Sequence, residues 1–164
     1  TENINFLASE GVQNPEIPDE VGKNSEGEYV VWSADVGGAT PYPIGGGPFD
    51  EAYEEEYGKK PTAYCANCYD SVVLLALAAQ KAGSKDGAEI RDALRDVANP
   101  PGTEVSEIEE ALSLLKDGKE INYQGASGKI TFDDKGDIEI GTATEWHYAE
   151  NGKIVKGGQV EIPT

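Results

Sequence analysis

Cys65 and Cys68 stand in a C-x-x-C spacing, a pattern that supports dithiol redox chemistry near a βαβ unit or half of a zinc site. No second pair and no His cluster completes a zinc site, and the single histidine, His147, lies far along the chain. Three readings stay open for the pair: small buried thiols, a local disulfide in an oxidising exterior, and redox or metal function. The first is the expectation. Asp133-Asp134-Lys135-Gly136-Asp137 invites calcium, but an EF-hand loop needs a Glu at its twelfth position, which here is Thr144. A hairpin turn explains the acids better. The acidic run Asp50–Glu56 offers paired carboxylates, yet acid–base work needs one carboxyl sheltered enough to hold a proton, which a fully charged helix face does not provide. His147 sits between Trp146 and Tyr148 on an alternating segment with no Ser or Cys nucleophile motif, so a structural role is expected.

The elements that would carry these residues follow from periodicity. Asn3–Leu7 and Glu28–Ser33 read as short strands. Residues 36–48 crowd five Gly and three Pro into thirteen positions, as a connector or crossover would. Phe49, Tyr53 and Tyr57 recur at i, i+4 and i+8 on an acidic helix that Gly58 ends. Tyr69–Ala79 is apolar on every face, which predicts a core helix packed on more than one side and stopped by Lys81 and Gly83. Capping boxes at Asp86/Glu89 and Ser106/Glu109 open two further helices, separated by Asn99–Gly102. After Gly118 the period becomes two: Lys129–Phe132, a turn at Asp133–Gly136, Thr142–Tyr148, a turn at Glu150–Gly152, and Ile154–Val155. Strands, helices and strands again make an α/β chain.

Thirty-one Asp and Glu against thirteen Lys and Arg give a net charge of −18 over 164 residues. A basic surface for nucleic acid or anionic lipid is excluded. Such charge self-repels, and the repulsion is tolerable where molar salt shortens the Debye length to about 3 Å. A halophilic source is expected; an ordinary acidic protein is the alternative. No stretch approaches the roughly 20 apolar residues of a membrane span. The sequence opens at Thr1 without a signal region and contains no Met, so a leader or membrane anchor would lie outside it.

In order, SEGVQN (Ser9–Asn14), FDEAYEEEYGKKPTAY (Phe49–Tyr64), YDSVVLLALAAQKAGS (Tyr69–Ser84), IRDALRDV (Ile90–Val97) and YQGASGKITFDDKGD (Tyr123–Asp137) resemble the type I periplasmic binding proteins of the branched-chain amino-acid and amide branch. The resemblance implies part of a two-lobed Venus-flytrap α/β protein that closes on a ligand and delivers it to an ABC transporter permease. It implies an extracytoplasmic location, no cofactor and no chemistry of its own. By that analogy residues 1–35 belong to the second lobe, 36–140 to the first, and 141–164 return to the second. The first-lobe segment whose small hydroxyl residues grip a ligand carboxylate would lie outside the chain.

The same resemblance nominates the site. Glu10 follows an apolar strand, where open α/β sheets place ligands, and the SEG-like motif implies that its carboxylate pairs with a ligand ammonium. Tyr64 and Ala66 fall at the interlobe position, where the ring would stack on an apolar ligand group and the small residue would leave it room. The ligand class is a small amino acid, amide or urea-like solute. The rivals are a sensor ectodomain of the same fold and an acidic extracellular hydrolase. From the charge alone, the melting temperature is expected to rise between dilute buffer and 1 M KCl as self-repulsion is screened; a flat or falling profile removes the halophile reading.

Overall fold

The structure, a computed structural model, describes residues 6–8, 10–14, 16–21, 26, 36–40, 47–139, 142–149 and 151–161. The chain divides into two compact units, Gly46–Glu139 and Thr1–Gly45 with Ile140–Thr164. The strand read at Glu28–Ser33 lies outside the described residues, as do residues 3–5 of the first strand.

A short helix α1 covers Ile17–Val21. In the unit Gly46–Glu139, helix α2 covers Pro48–Tyr57 and stops at Gly58, whose φ of 66° and amide bond to the Glu54 carbonyl make the left-handed end that glycine allows. Helix α3 covers Cys65–Ala82, so it begins one turn before the apolar run. Its buried residues include Val73, Leu74, Leu77 and Ala78, a stripe of adjacent pairs one turn apart. Full burial of each aliphatic side chain is worth about 1.5–3 kcal/mol. Val72 and Leu75 on the other side are 69% and 53% exposed. Helix α3 thus buries one stripe against α4, Gly87–Ala98, and the neighbouring strands, while part of its apolar surface stays exposed.

Asp86 caps α4 as expected, its carboxylate accepting from the amides of Ala88 (2.9 Å) and Glu89 (3.2 Å). The second predicted cap does not form. Helix α5 begins at Ile108, its N-cap is Glu107, and no side chain caps it. The box read at Ser106 is thus one residue out of register. Strands β3 (Thr103–Val105) and β4 (Ile121–Gly125) pair in parallel, and β5 (Gly128–Lys129) pairs antiparallel to β4. Val97, Ala111, Ile121 and Tyr123 meet α3 in one core between helices and sheet.

One acid is buried in this core. Asp70, on the second turn of α3, is 2% exposed. Its Oδ1 accepts from the Tyr123 hydroxyl (3.0 Å) and the Ala126 amide (2.9 Å); its Oδ2 accepts from the Ser127 amide (2.7 Å) and the Ser127 hydroxyl. A buried carboxylate is tolerable only when its lone pairs are so matched. Gly125 makes the approach possible: a Cβ there would stand 2.6 Å from Asp70 Cγ and 2.7 Å from Ile130 Cδ1. Burial, then the Asp70 charge, pushes the Tyr123 phenol well above its ordinary pKa.

The segment after β5 is pinned from outside the sheet. Asn99 pairs with the Phe132 backbone through both ends of its amide (2.7 and 2.9 Å), and Arg95 forks onto the Asp133 carbonyl. The turn predicted at Asp133–Gly136 is present. Asp133 Oδ1 accepts from the amides of Lys135, Gly136 and Asp137 at 2.8–2.9 Å. These bonds, the Asp137 amide foremost, hold its carboxyl below the usual range, so backbone donors occupy the oxygen that the calcium reading required.

The other unit holds a sheet in the order β1-β2-β6-β7, with β1 Phe6–Leu7, β2 Val36–Thr40, β6 Thr142–Tyr148 and β7 Ile154–Glu161. The connector read at residues 36–48 is corrected in its first part. Val36–Thr40 is a strand, parallel to β1 and antiparallel to β6, because hydrogen bonding on both edges overrides the weak strand propensity of Gly37 and Gly38. Strand β6 has the predicted bounds. Strand β7 runs six residues past the predicted Val155, and a register shift between Thr144 and Trp146 bulges the ladder.

Asp70→Asn sets an NH2 group against backbone N–H donors, and it is expected to lower unfolding free energy by on the order of 2–4 kcal/mol. The exposed Asp92→Asn should stay within about 0.5 kcal/mol of the parent. Denaturant unfolding at fixed salt reads both; an Asp70→Asn protein as stable as Asp92→Asn shows that the carboxylate does not hold the unit.

Candidate functional site

Two places carry the nominated residues, one in each unit. Glu10 opens a 3-10 turn, Glu10–Val12, three positions past the end of β1. The turn is tied to the sheet by a residue 134 positions on. Tyr148, buried on β6, takes the Asn14 amide on its hydroxyl (3.2 Å) and reaches the carbonyls of Val12 and Asn14, the latter at 2.9 Å. Burial raises the Tyr148 phenol above its ordinary pKa, with the Asn14 backbone bond acting against it, so the ring stays neutral and able to donate. Trp146 packs edge-on against Tyr148, with ring centroids 5.6 Å apart, and Ala8 and Val12 close the cluster. A polar residue past the end of β1 is thereby held on a braced turn.

The second place is the start of α3. Tyr64 is its N-cap and adopts φ 68°, the positive-φ non-glycine among the described residues. That conformation costs roughly 1–2 kcal/mol in a residue with a Cβ, and backbone of this kind concentrates at ligand sites. The Tyr64 side chain is 44% exposed, and Ala66, one residue into the helix, is half-buried. Between them Cys65 forms part of the wall of a cavity of about 730 Å³, shared with Phe49, Tyr53, Tyr57, Tyr69 and Glu107. This is the size range of small-molecule sites. Gly125 and Ala126 also line it, and the Ala126 amide is held by Asp70.

The aromatic stripe of α2 is not buried in a core. Its rings pack on one another and on α3: Phe49–Tyr53 at 5.9 Å, Tyr53–Tyr57 at 4.6 Å and Phe49–Tyr69 at 5.2 Å, all tilted. Both cysteines are free, Cys65 half-buried and Cys68 exposed. The expectation of two buried thiols is corrected for Cys68, because the pair lies on the first turn of α3, ahead of the buried stripe. Burial pushes the Cys65 thiol up, but the Thr62 hydroxyl (3.5 Å) and backbone, the Tyr53 hydroxyl (4.0 Å) and the Lys59 charge outweigh it and leave the thiol below its ordinary value. Among the described residues no group of three or more His, Cys, Asp or Glu could hold a metal ion.

Asp70 and Tyr148 were not among the residues nominated from sequence. Asp70 had a signal, an acid inside an apolar helical run, which must find donors if that face is buried. Tyr148 had none, since its partners lie at the far end of the chain.

A family model described as the receptor family ligand binding region matches residues 18–144. The chemotactic signal transduction system substrate-binding protein BasB of Halobacterium salinarum is 25% identical, over 77% of this chain and 34% of that protein. The crystal structure of a leucine binding protein, LivK, from Thermotoga maritima superposes with a TM-score of 0.64 at 26% identity, covering 94% of this chain and 37% of that one. The chain thus spans about a third of the length of these relatives.

Thr62→Val removes the hydroxyl beside Cys65 and is expected to shift the pH profile of Cys65 alkylation to higher pH, leaving Cys68 unchanged. An unshifted profile shows that the Thr62 hydroxyl does not hold the thiol down.

Proposed function

The chain belongs to the receptor family ligand binding region family, and on that premise we propose that it is part of an extracytoplasmic solute-binding protein that captures a small amino acid, amide or urea-like ligand. Its fold is the α/β fold of a type I periplasmic binding protein. The observation that carries the reading is that nearly the whole chain follows the fold of a leucine binding protein. The family and fold are those of ligand-binding proteins rather than enzymes.

The two compact units support a division into two lobes, but with the first boundary at Gly45/Gly46 rather than after residue 35, because Val36–Thr40 pairs with β1 and β6; the return at Glu139/Ile140 lies within one residue of the expected 140/141. On this reading Glu10, Tyr64 and Ala66 are ligand contacts. The braced turn that begins at Glu10 supports its role, since a site residue needs a rigid mount. The left-handed backbone at Tyr64 supports the second contact.

Delivery to an ABC permease is the first destination. A second, signalling through a membrane receptor, is favoured by the likeness to a chemotactic substrate-binding protein. Co-purification from solubilised membranes with a permease or with a signalling receptor separates the two. The −18 charge supports a surface exposed to high salt, through the screening that such a medium supplies.

In the protein carrying both lobes, mass spectrometry of solute retained through mild purification is expected to find an amino acid or amide. For an amino acid, Glu10→Ala leaves a desolvated ammonium unpaired and should weaken binding by on the order of 2–5 kcal/mol, roughly 30- to several-thousand-fold. Glu10→Gln should be similarly severe for an amino acid and much milder for a neutral amide. Calorimetry showing Glu10→Gln within about threefold of the parent for its amino acid, about 0.7 kcal/mol, would mean that Glu10 is not the ammonium partner.

A further inference from the structure

The C-x-x-C pair acquires a meaning from its placement. Cys65 is the first residue of α3 and Cys68 follows one turn later, so the two side chains lie on one face with Cβ atoms about 5–6 Å apart by helical geometry. A disulfide needs Cβ atoms at about 3.8 Å. Closing that gap takes a shift of roughly 1–2 Å within the first turn, the part of a helix whose amides have no intrahelical partner. Behind it, Tyr64 already departs from helical geometry at φ 68°, so the turn has a backbone joint next to it.

The two sulfurs differ in setting. Cys65 is half-buried and forms part of the wall of the aromatic cavity, with the Thr62 hydroxyl at 3.5 Å; Cys68 is exposed. The stabilised thiolate is therefore at Cys65, while the open side belongs to Cys68. Attack and resolution in thiol–disulfide exchange ask for that division: one sulfur carries the nucleophilic charge, and a neighbour free to move displaces the mixed disulfide.

We propose that Cys65 and Cys68 form a dithiol modification site that exchanges with low-molecular-weight disulfides and closes to an intramolecular disulfide across the first turn of α3. The Cys65 thiolate attacks one sulfur of the small disulfide, forming a mixed disulfide and releasing one thiolate. The Cys68 thiolate then attacks Cys65 Sγ, the new bond forms within the helix, and a second small thiolate leaves. The two protein thiols give up their protons to the two leaving thiolates, the protein is oxidised by two electrons, and the small disulfide is reduced to two thiols. Closure draws Cys65 toward Cys68, away from Thr62 and Tyr53, and so alters the cavity wall beside Tyr64 and Ala66.

The test incubates the protein with oxidised glutathione in 1 M KCl, quenches with acid, alkylates and measures intact mass. Expected is a monomer lighter by two hydrogens, with both cysteines closed to alkylation and both reopened by dithiothreitol. Both cysteines remaining alkylatable, or oxidation yielding only dimers linked between chains, overturns the proposal. Cys68→Ser should stop at a glutathione adduct on Cys65. Cys65→Ser should react with oxidised glutathione on the order of tenfold more slowly than Cys68→Ser, because it lacks the stabilised thiolate; equal rates overturn the assigned order of attack.

Discussion

The unit Gly46–Glu139 depends on one buried carboxylate. Asp70 lies on a helix whose neighbours are Val73, Leu74 and Leu77, and it is matched by donors from Tyr123, Ala126 and Ser127. A charge in that position is intolerable without those partners, since desolvation alone would outweigh the packing of the helix. The constraint runs outward. Ala126 and Ser127 must bring their amides to the helix, Gly125 must lack a side chain to let them, and the segment so placed becomes one wall of the cavity whose other walls are α2 and the start of α3. The motif letters Y-D and G-A-S-G, more than fifty residues apart, are the two halves of a single hydrogen-bonded joint.

The second unit solves a similar problem with a neutral group. Tyr148 is buried, and its hydroxyl serves the backbone of Val12 and Asn14. Here the partner is a turn rather than a sheet, and the effect is to brace the segment that starts with Glu10. In one unit the buried carboxylate fixes the Ala126–Ser127 backbone, and in the other the buried hydroxyl fixes the backbone that follows Glu10.

The α2 stripe packs differently from the buried stripe of α3. Phe49, Tyr53 and Tyr57 have the spacing of a core face, yet none is fully buried, and their rings shield one another and Tyr69 instead. The helix carries Glu and Asp on its remaining surface, and its apolar side forms part of a cavity wall. An aromatic wall next to a strained helix start is suited to a small apolar or amphipathic group.

Local chemistry was legible from the sequence because it depends on near neighbours. The end of α2 at Gly58, the end of α3 at Gly83, the Asp86 cap and the Asp133 turn all rest on contacts a few residues long, and each stands where spacing placed it. The resemblance nominated Glu10, Tyr64 and Ala66 by order and motif. The remaining features needed the tertiary structure, because they depend on partners distant in the chain. Val36–Thr40 is a strand only because β1 and β6 lie on either side; α3 has one covered face only because α4 and the sheet lie on one side; and β7 extends to Glu161 because β6 is long enough to pair with it. Spacing could not reveal that Asp70 would meet Ser127 or that Tyr148 would hold Asn14. Local hydrogen bonds are encoded where they form, whereas burial is a property of what the rest of the chain brings near.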